Sequence, residues 1–118
     1  MLHRLVRPDP APSAEPPRNI VSGAPMTQTL NAYESPDGLT YCGIWTATIG
    51  AWRVTYDEWE YCQILSGQMS LTPDGGAAQR FGPGDQFVIE PGFSGVWTVL
   101  EDMSKSYVIR LPNGSGHG

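Results

Sequence analysis

Three residues with ionisable or reactive side chains alternate along one stretch of the chain: Glu58, Glu60 and Cys62. In a β-strand, residues two apart project to the same face, so all three face one side. Two carboxylates in a partly apolar pocket can act as a general acid and a general base, and Glu60 and Glu58 are therefore the candidate catalytic residues. The alternative is that Glu58 lies in water at a barrel mouth while Glu60 pairs with Arg53 or Lys105.

Other side chains could hold a ligand near these carboxylates. The phenol of Tyr56 can donate a hydrogen bond to a ligand, or belong to a core tyrosine whose hydroxyl reaches the rim. Lys105 is the only lysine in the chain, and it could act as a nucleophile, bind an acidic ligand or pair with a carboxylate. Cys62 is a further candidate, although free cysteines are usually small buried hydrophobes and the predicted domain has no histidine to activate this one.

The sequence argues against a metal cofactor. The only histidines, His3 and His117, lie near the two ends of the chain, and imidazoles are what normally make transition-metal sites bind well. A hard cation could use Glu58, Glu60 and Asp57, but such ions prefer six or more oxygen ligands. We therefore expect no metal and no other cofactor.

Charge and composition exclude several classes of partner. The chain has 118 residues and a net charge of −5, with twelve acidic and seven basic residues. Nucleic acids and anionic membranes repel such a surface, so neither is expected as a partner. Two cysteines do not make a disulfide framework, and the N-terminus lacks the apolar stretch of a signal peptide. These features predict a cytoplasmic protein with two reduced thiols.

The organisation of the chain predicts an all-β fold. Fourteen glycines and eleven prolines punctuate short β-type runs about ten residues apart, which is typical of a sandwich or barrel. Residues 1–19 contain five prolines and form a disordered or loosely packed arm, residues 20–111 form the single domain, and residues 112–118 form a flexible tail. The predicted strands are Thr40–Thr48, Ala51–Tyr56, Trp59–Leu65, Gln68–Thr72, Gln79–Phe81, Gln86–Glu90, Gly95–Leu100 and Ser106–Leu111.

Two stretches resemble the motifs of the cupins, which are small antiparallel jelly-roll barrels. Residues 50–67 resemble the first motif, in which Glu60 is followed by six residues and then Gly67, and residues 82–97 resemble the second through their Phe-Gly-Pro-Gly-Asp turn. More narrowly, Gly-Ile-Trp at 43–45, Glu-Tyr-Cys at 60–62, Gly-x-Trp at 95–97 and Lys-x-Tyr-Val-Ile at 105–109 resemble the ureidoglycine aminohydrolase-like branch. The resemblance implies an antiparallel jelly-roll barrel, an aromatic pocket lining from Trp45 and Trp97, and a homodimer paired through edge strands.

The resemblance also implies which metal ligands are missing. The full cupin pattern supplies two histidines and a glutamate from the first motif and a third histidine from the second. Of these four positions this chain retains only Glu60. We therefore predict a cupin that binds a small molecule in an acidic and aromatic pocket without the usual metal. The alternatives are a ureidoglycine aminohydrolase-like enzyme that uses glutamate acid–base chemistry on a small polar metabolite, and a structural or regulatory barrel that dimerises.

Overall fold

The computed structural model describes residues 1–113, and the last five residues, which include His117 and most of the predicted tail, lie outside that range. The described residues form eight β-strands and no helix, so none of them forms a helix that could cross a membrane. This confirms the predicted all-β class. The strands are β1 (Ile20–Gly23), β2 (Thr27–Glu34), β3 (Thr40–Ala47), β4 (Gly50–Thr55), β5 (Trp59–Pro73), β6 (Gln79–Phe81), β7 (Gln86–Ile89) and β8 (Ser94–Arg110).

The two longest strands, β5 and β8, run through the middle of the sheet. They pair antiparallel from Trp59 opposite Arg110 to Pro73 opposite Gly95. The first part of β8 also pairs with β4 and its second part with β3. Strands β1 and β2 pair with β4 and β3, whereas β6 and β7 pair with the two ends of β5. The sheet therefore has two halves, β1-β4-β8-β5-β6 and β2-β3-β8-β5-β7, which share β5 and β8.

The pattern of buried side chains changes phase where β5 passes from one half to the other. Buried residues are even-numbered from Glu60 to Ile64 and odd-numbered beyond residue 68. The change falls at Gly67, which has a φ of +82° and where a Cβ would lie 2.3 Å from the Asp102 carbonyl oxygen. The pairing between β5 and β8 is irregular at the same place. A bulge of this kind bends a strand and re-aims its side chains, so both ends of β5 present residues to one interior.

The core lies between the two halves of the sheet. Trp97 and Val99 come from the first part of β8 and Met103 from its second part, and each is at most 4% exposed. These residues pack with apolar side chains of β3, β4, β5 and β7: Ala47, Trp52, Ile64, Met69, Leu71 and Ile89. Burial of this apolar surface is the main force that holds the two halves together.

The strand prediction was wrong in two respects. The predicted pairs Trp59–Leu65 with Gln68–Thr72, and Gly95–Leu100 with Ser106–Leu111, are each one continuous strand. The Ser66-Gly67 signal marks a bulge rather than a turn. In addition, β1 and β2 were not predicted, because β1 is exposed along its whole length and β2 buries only Leu30. Neither strand shows the alternation of apolar and polar residues by which a half-buried strand is recognised.

The proline-rich arm contacts the outside of the barrel at a few points. Glu15 and Thr27 exchange two backbone hydrogen bonds of 2.9 and 2.7 Å, and the Gln28 side chain donates to the Pro12 carbonyl oxygen at 2.5 Å. Almost all side chains in residues 1–19 are exposed. Disorder of the arm stays a prediction.

Candidate functional site

A cavity of about 190 Å³ opens between the two halves of the sheet. Six of the seven predicted site residues line it, and they come from β3, β5, β8 and the segment that follows β4: Trp45, Tyr56, Glu58, Glu60, Trp97 and Lys105. The seventh, Cys62, does not line the cavity but contacts Lys105 below it, with 3.6 Å between Sγ and Nζ. The structure therefore brings all seven together, although their roles stay predictions.

The innermost polar group of this site is a buried ion pair. Lys105 Nζ donates a hydrogen bond of 2.8 Å to Glu60 Oε2, and both residues are only 3% exposed. The pair forms because Glu60 lies on β5, next to β8, and alternation turns both side chains inward. A charged pair at this depth is tolerated only when each charge has a close partner.

Two tryptophans enclose the Lys105 ammonium. Nζ lies 4.5 Å from the ring centroid of Trp45 and 4.4 Å from that of Trp97. Trp45 is directly opposite Lys105 in the β3–β8 ladder, and Trp97 lies on the same face of β8, eight residues earlier. The negative face of an aromatic ring attracts a cation, more strongly where water is excluded. The ammonium is therefore stabilised by a carboxylate and by two rings at once.

Opposing effects act on the charge of Lys105. Burial lowers the pKa of its amine, whereas the Glu60 carboxylate and Cys62 raise it, and the balance is a pKa above the ordinary value. Lys105 is consequently protonated at neutral pH. This does not favour the reading of Lys105 as a nucleophile, because an amine must lose its proton to attack a carbonyl group.

Cys62 and Tyr56, the two weak acids near Glu60, both keep their protons at neutral pH. Burial, with a contribution from the Glu60 carboxylate, raises the pKa of the Cys62 thiol to about 12 even though the nearby Lys105 lowers it. Burial and the same carboxylate also raise the pKa of Tyr56 well above its usual value. Tyr56 is therefore a hydrogen-bond donor at neutral pH, and Cys62 is a protonated thiol without the reactivity of a thiolate.

Glu58 differs from Glu60 in its surroundings. It is half-buried on the cavity wall and takes part in none of the ion pairs of residues 1–113. The sequence left two positions open for Glu58, one in a partly apolar pocket beside Glu60 and one in water at the barrel mouth. The half-buried position lies between these two. Arg53, which was considered as a partner of Glu60, is instead paired with Asp74 on the surface at 2.9 Å.

Five cavity residues were missed from the sequence: Thr29, Trp52, Val54, Tyr107 and Ile109. Trp52 is 5% exposed, and its ring stacks at 6.4 Å on that of Trp97, its partner in the β4–β8 ladder. Alternation could have identified Trp52, which lies four residues before Tyr56, and Tyr107, which lies two after Lys105. No sequence signal pointed to Thr29, because β2 was not predicted.

A buried donor in the wall of the cavity has no acceptor. Trp97 is 1% exposed, and its Nε1 has no hydrogen-bond partner among the described residues. A buried N–H group without a partner costs about 1–3 kcal/mol.

The carboxylates of the site do not form a cation cluster. Among residues 1–113 no group of three or more His, Cys, Asp and Glu side chains is arranged to hold a metal ion. Asp57, the third residue considered for a hard cation, is exposed and does not line the cavity. The partner of Glu60 is the Lys105 ammonium.

Comparison with solved structures defines the class of the protein. A Pseudomonas syringae protein of unknown function from the DUF861 family superposes with a TM-score of 0.73 at 20% identity, over 92% of this chain and 45% of that one. The Clostridium difficile EutQ protein gives a TM-score of 0.66 at 14% identity, over 80% of this chain and 69% of that one. At these identities the likeness shows the fold alone. The fold is the antiparallel cupin fold, as the sequence predicted.

The family follows from the sequence match. Residues 34–107 match the EutQ-like cupin domain, so the chain belongs to the EutQ-like cupin family. A DUF861 family protein from Thermotoga maritima is 31% identical over 55% of this chain and 74% of that one, with a TM-score of 0.53. This chain spans less than half the length of the Pseudomonas protein. No curated protein sequence matches it.

Proposed function

We propose that this protein binds a small polar molecule in the cupin barrel and does so without a divalent metal. The observation that carries the proposal is the buried Lys105–Glu60 pair, 2.8 Å apart, at the inner end of a cavity walled by aromatic side chains. Convergent polar groups in an otherwise aromatic pocket are typical of small-molecule sites. A cavity of about 190 Å³ is smaller than pockets for drug-sized ligands, which supports a small metabolite.

The donor set does not fit a divalent metal. The Glu60 carboxylate, which is the one cupin ligand retained in this chain, is neutralised by the Lys105 ammonium at 2.8 Å. A metal ion at that carboxylate would lie beside a like charge in a region of low dielectric. Tyr56 would have to lose its proton to become a good ligand, and its raised pKa opposes this.

The chemistry of the wall indicates what the ligand carries. The Tyr56 hydroxyl is a donor that an acceptor oxygen could use, and Glu58 is an acceptor that a ligand N–H or O–H could reach. A neutral ligand with both donors and acceptors suits these groups better than an anion, because Glu58 adds negative charge to a site whose Lys105 is already neutralised.

A binding screen tests this proposal. Small hydroxylated and nitrogenous metabolites would be tested by thermal shift and calorimetry against the wild type and Trp45→Ala. We expect a ligand that raises the melting temperature of the wild type and loses its affinity in Trp45→Ala. The matched control is Glu101→Gln, on the exposed bend of β8, which should bind like the wild type. Unchanged affinity in Trp45→Ala would contradict binding in the cavity.

Elemental analysis tests the metal-free part separately. Protein without a tag, dialysed against metal-free buffer, should contain far less than one metal ion per chain. About one tightly held ion per chain would contradict the proposal, because a specific site fills stoichiometrically.

An enzyme of the ureidoglycine aminohydrolase-like type is the second candidate. Glu58 supports it, because a half-buried carboxylate on the cavity wall without an ion-pair partner among the described residues could accept a substrate proton. Turnover of a small ureido or amino compound should then disappear in Glu58→Gln while the melting temperature stays unchanged. Equal turnover in wild type and Glu58→Gln would exclude this carboxylate as the base.

A dimerising barrel is the third candidate. β1 is an edge strand of the sheet, and its Ile20 and Val21 are 44% and 59% exposed. An exposed apolar edge strand is a surface on which a second copy can add. Light scattering should then give about twice the monomer mass, and Val21→Lys should give the monomer mass. A wild-type monomer at all concentrations would exclude the homodimer.

A further inference from the structure

We infer that the barrel contains an ammonium-binding site, made of the Glu60 carboxylate and the ring faces of Trp45 and Trp97, which the protein fills with its own Lys105 side chain. The ligand class that suits the site is a primary alkylammonium ion. This goes beyond the proposed function, because it concerns what holds the interior together whether or not a metabolite binds.

The contacts of Lys105 Nζ support this inference. Glu60 Oε2 accepts a hydrogen bond at 2.8 Å, the Cys62 sulfur lies at 3.6 Å, and two ring centroids lie at 4.5 and 4.4 Å. A close carboxylate and two aromatic faces are the groups by which proteins recognise ammonium ligands. With Lys105 only 3% exposed, water contributes little to the stability of its charge.

The walls of the site are held by contacts that do not need Lys105. The rings of Trp45 and Trp97 meet edge to face at 5.4 Å, and Trp52 packs against both at 6.1 and 6.4 Å. Glu60 lies within the β5–β8 and β5–β7 ladders, which fix its backbone on both sides. A variant that lacks the lysine side chain should therefore keep an ammonium-shaped cavity beside a buried carboxylate.

Removal of the side chain defines the probe. Lys105→Ala deletes Cγ, Cδ, Cε and Nζ, which are the heavy atoms of n-propylammonium. The variant leaves Glu60 buried without its counter-charge, so its melting temperature should fall by roughly 10 °C or more. Millimolar n-propylammonium chloride should recover a large part of this loss and saturate as it fills one site. Potassium chloride at equal ionic strength and neutral 1-propanol should recover much less.

Two control variants separate a specific site from a general salt effect. Arg53→Ala removes a cation whose pair is half-exposed, and propylammonium should not change its stability more than that of the wild type. Lys105→Ala combined with Glu60→Gln lacks the carboxylate and should lose the propylammonium effect. Recovery no greater than with potassium chloride, or recovery that persists without the carboxylate, would overturn the inference.

A second pair of variants covers the case in which Lys105→Ala does not fold. Lys105→Met keeps most of the volume but leaves Glu60 unpaired, whereas Lys105→Met with Glu60→Gln removes both charges. We expect the double variant to have the higher melting temperature of the two. A double variant no more stable than Lys105→Met would overturn the inference. Recovery of Lys105→Ala by Zn²⁺ or Mn²⁺, and not by propylammonium, would also overturn it.

Discussion

The buried charge of Lys105 is the feature on which the polar interior of the barrel depends. Lys105 Nζ is bound to Glu60 at 2.8 Å and is enclosed by two tryptophan rings. Because burial removes water from both charges, each depends on the other far more than the partners of a surface pair do. The comparison with the exposed Arg53–Asp74 pair, which has nearly the same N–O distance, gives a direct test of that difference.

Glu60→Gln should lower the free energy of unfolding by about 3 kcal/mol, because it leaves the Lys105 ammonium buried without a counter-charge. Urea denaturation at neutral pH measures this change. Asp74→Asn, the matched change in the exposed pair, should lower the free energy of unfolding much less, because water screens both charges. Equal costs for the two variants would show that burial does not strengthen the dependence of Lys105 on Glu60.

Alkaline pH should destabilise the protein through Cys62. The pKa of its thiol is about 12 in the folded protein against an ordinary value of 9.0, so the folded state holds the proton more tightly than the unfolded chain. The stabilisation is complete below pH 9 and is lost as the pH rises toward 12, in total on the order of 4 kcal/mol.

Between pH 8 and 11 the free energy of unfolding should therefore fall less steeply in Cys62→Ala than in the wild type. The difference between the two slopes should correspond to about one proton per molecule. Cys42→Ala provides the matched control, because Cys42 is only half-buried and should change the slope less. An unchanged slope in Cys62→Ala would contradict the raised pKa.

The site was largely predictable because alternation is a strong signal. Glu58, Glu60 and Cys62 share a face in any extended strand, and the resemblance supplied Trp45 and Trp97. The choice of Lys105 over Arg53 as the partner of Glu60 could not be made from sequence. It depends on the pairing of β5 with β8 rather than with β4, which is a contact between distant parts of the chain.

At the scale of the elements, the bulge at Gly67 determines how one strand serves both halves of the sheet. A Cβ at this position would lie 2.3 Å from the Asp102 carbonyl oxygen and 2.6 Å from Met103 Cα, which are backbone atoms of the paired strand. Backbone cannot move aside as the end of a side chain can. The position therefore requires glycine for space as well as for its φ of +82°.

Gly67→Ala should destabilise the fold by roughly 3 kcal/mol or more, through backbone strain and a clash together. Gly75→Ala is the matched control, because Gly75 also has a positive φ of +72° but has no atom within 4 Å of the added Cβ. That change should cost about 1 kcal/mol from φ alone. Equal losses of unfolding free energy for the two variants, measured by chemical denaturation, would mean that the close approach of the β8 backbone to residue 67 adds nothing to the cost.

The elements that sequence analysis missed are those with little burial. Strand β1 has no buried residue, and β2 has Leu30 alone, so their formation depends on hydrogen bonds to β4 and β3 rather than on a visible apolar pattern. The fusion of two predicted strands into β5 has a different cause. A Ser-Gly pair in a sequence predicts a turn. Here it is a bulge, because β8 continues alongside β5 past this point, and the paired residues of β8 lie about 35 residues away along the chain.

For the whole molecule, the arm is the part that contributes least to the barrel. Its described links include the hydrogen bonds between Glu15 and Thr27 and the one from Gln28 to Pro12. The Arg53 amide also donates to the Asn19 carbonyl oxygen at 3.0 Å, and the rings of His3 and Tyr33 lie 5.3 Å apart. Deletion of residues 1–19 should therefore shift the melting temperature by less than about 3 °C, as measured by calorimetry. A larger fall would mean that the arm packs as part of the folded domain.

The course of β8 has a consequence for how the cavity can open. Residues 95–99 of this strand lie between β4 and β5, and residues 104–110 lie between β3 and β5, so the backbone of these two stretches is hydrogen-bonded on both sides. Trp97 and Lys105 both stand on it. In native-state hydrogen exchange these amides should be among the slowest and should exchange only through global unfolding. Any adjustment of the pocket to a ligand should therefore come from the side chains that line it, such as those of Glu58 and Tyr56, while the backbone beneath the tryptophans stays in place.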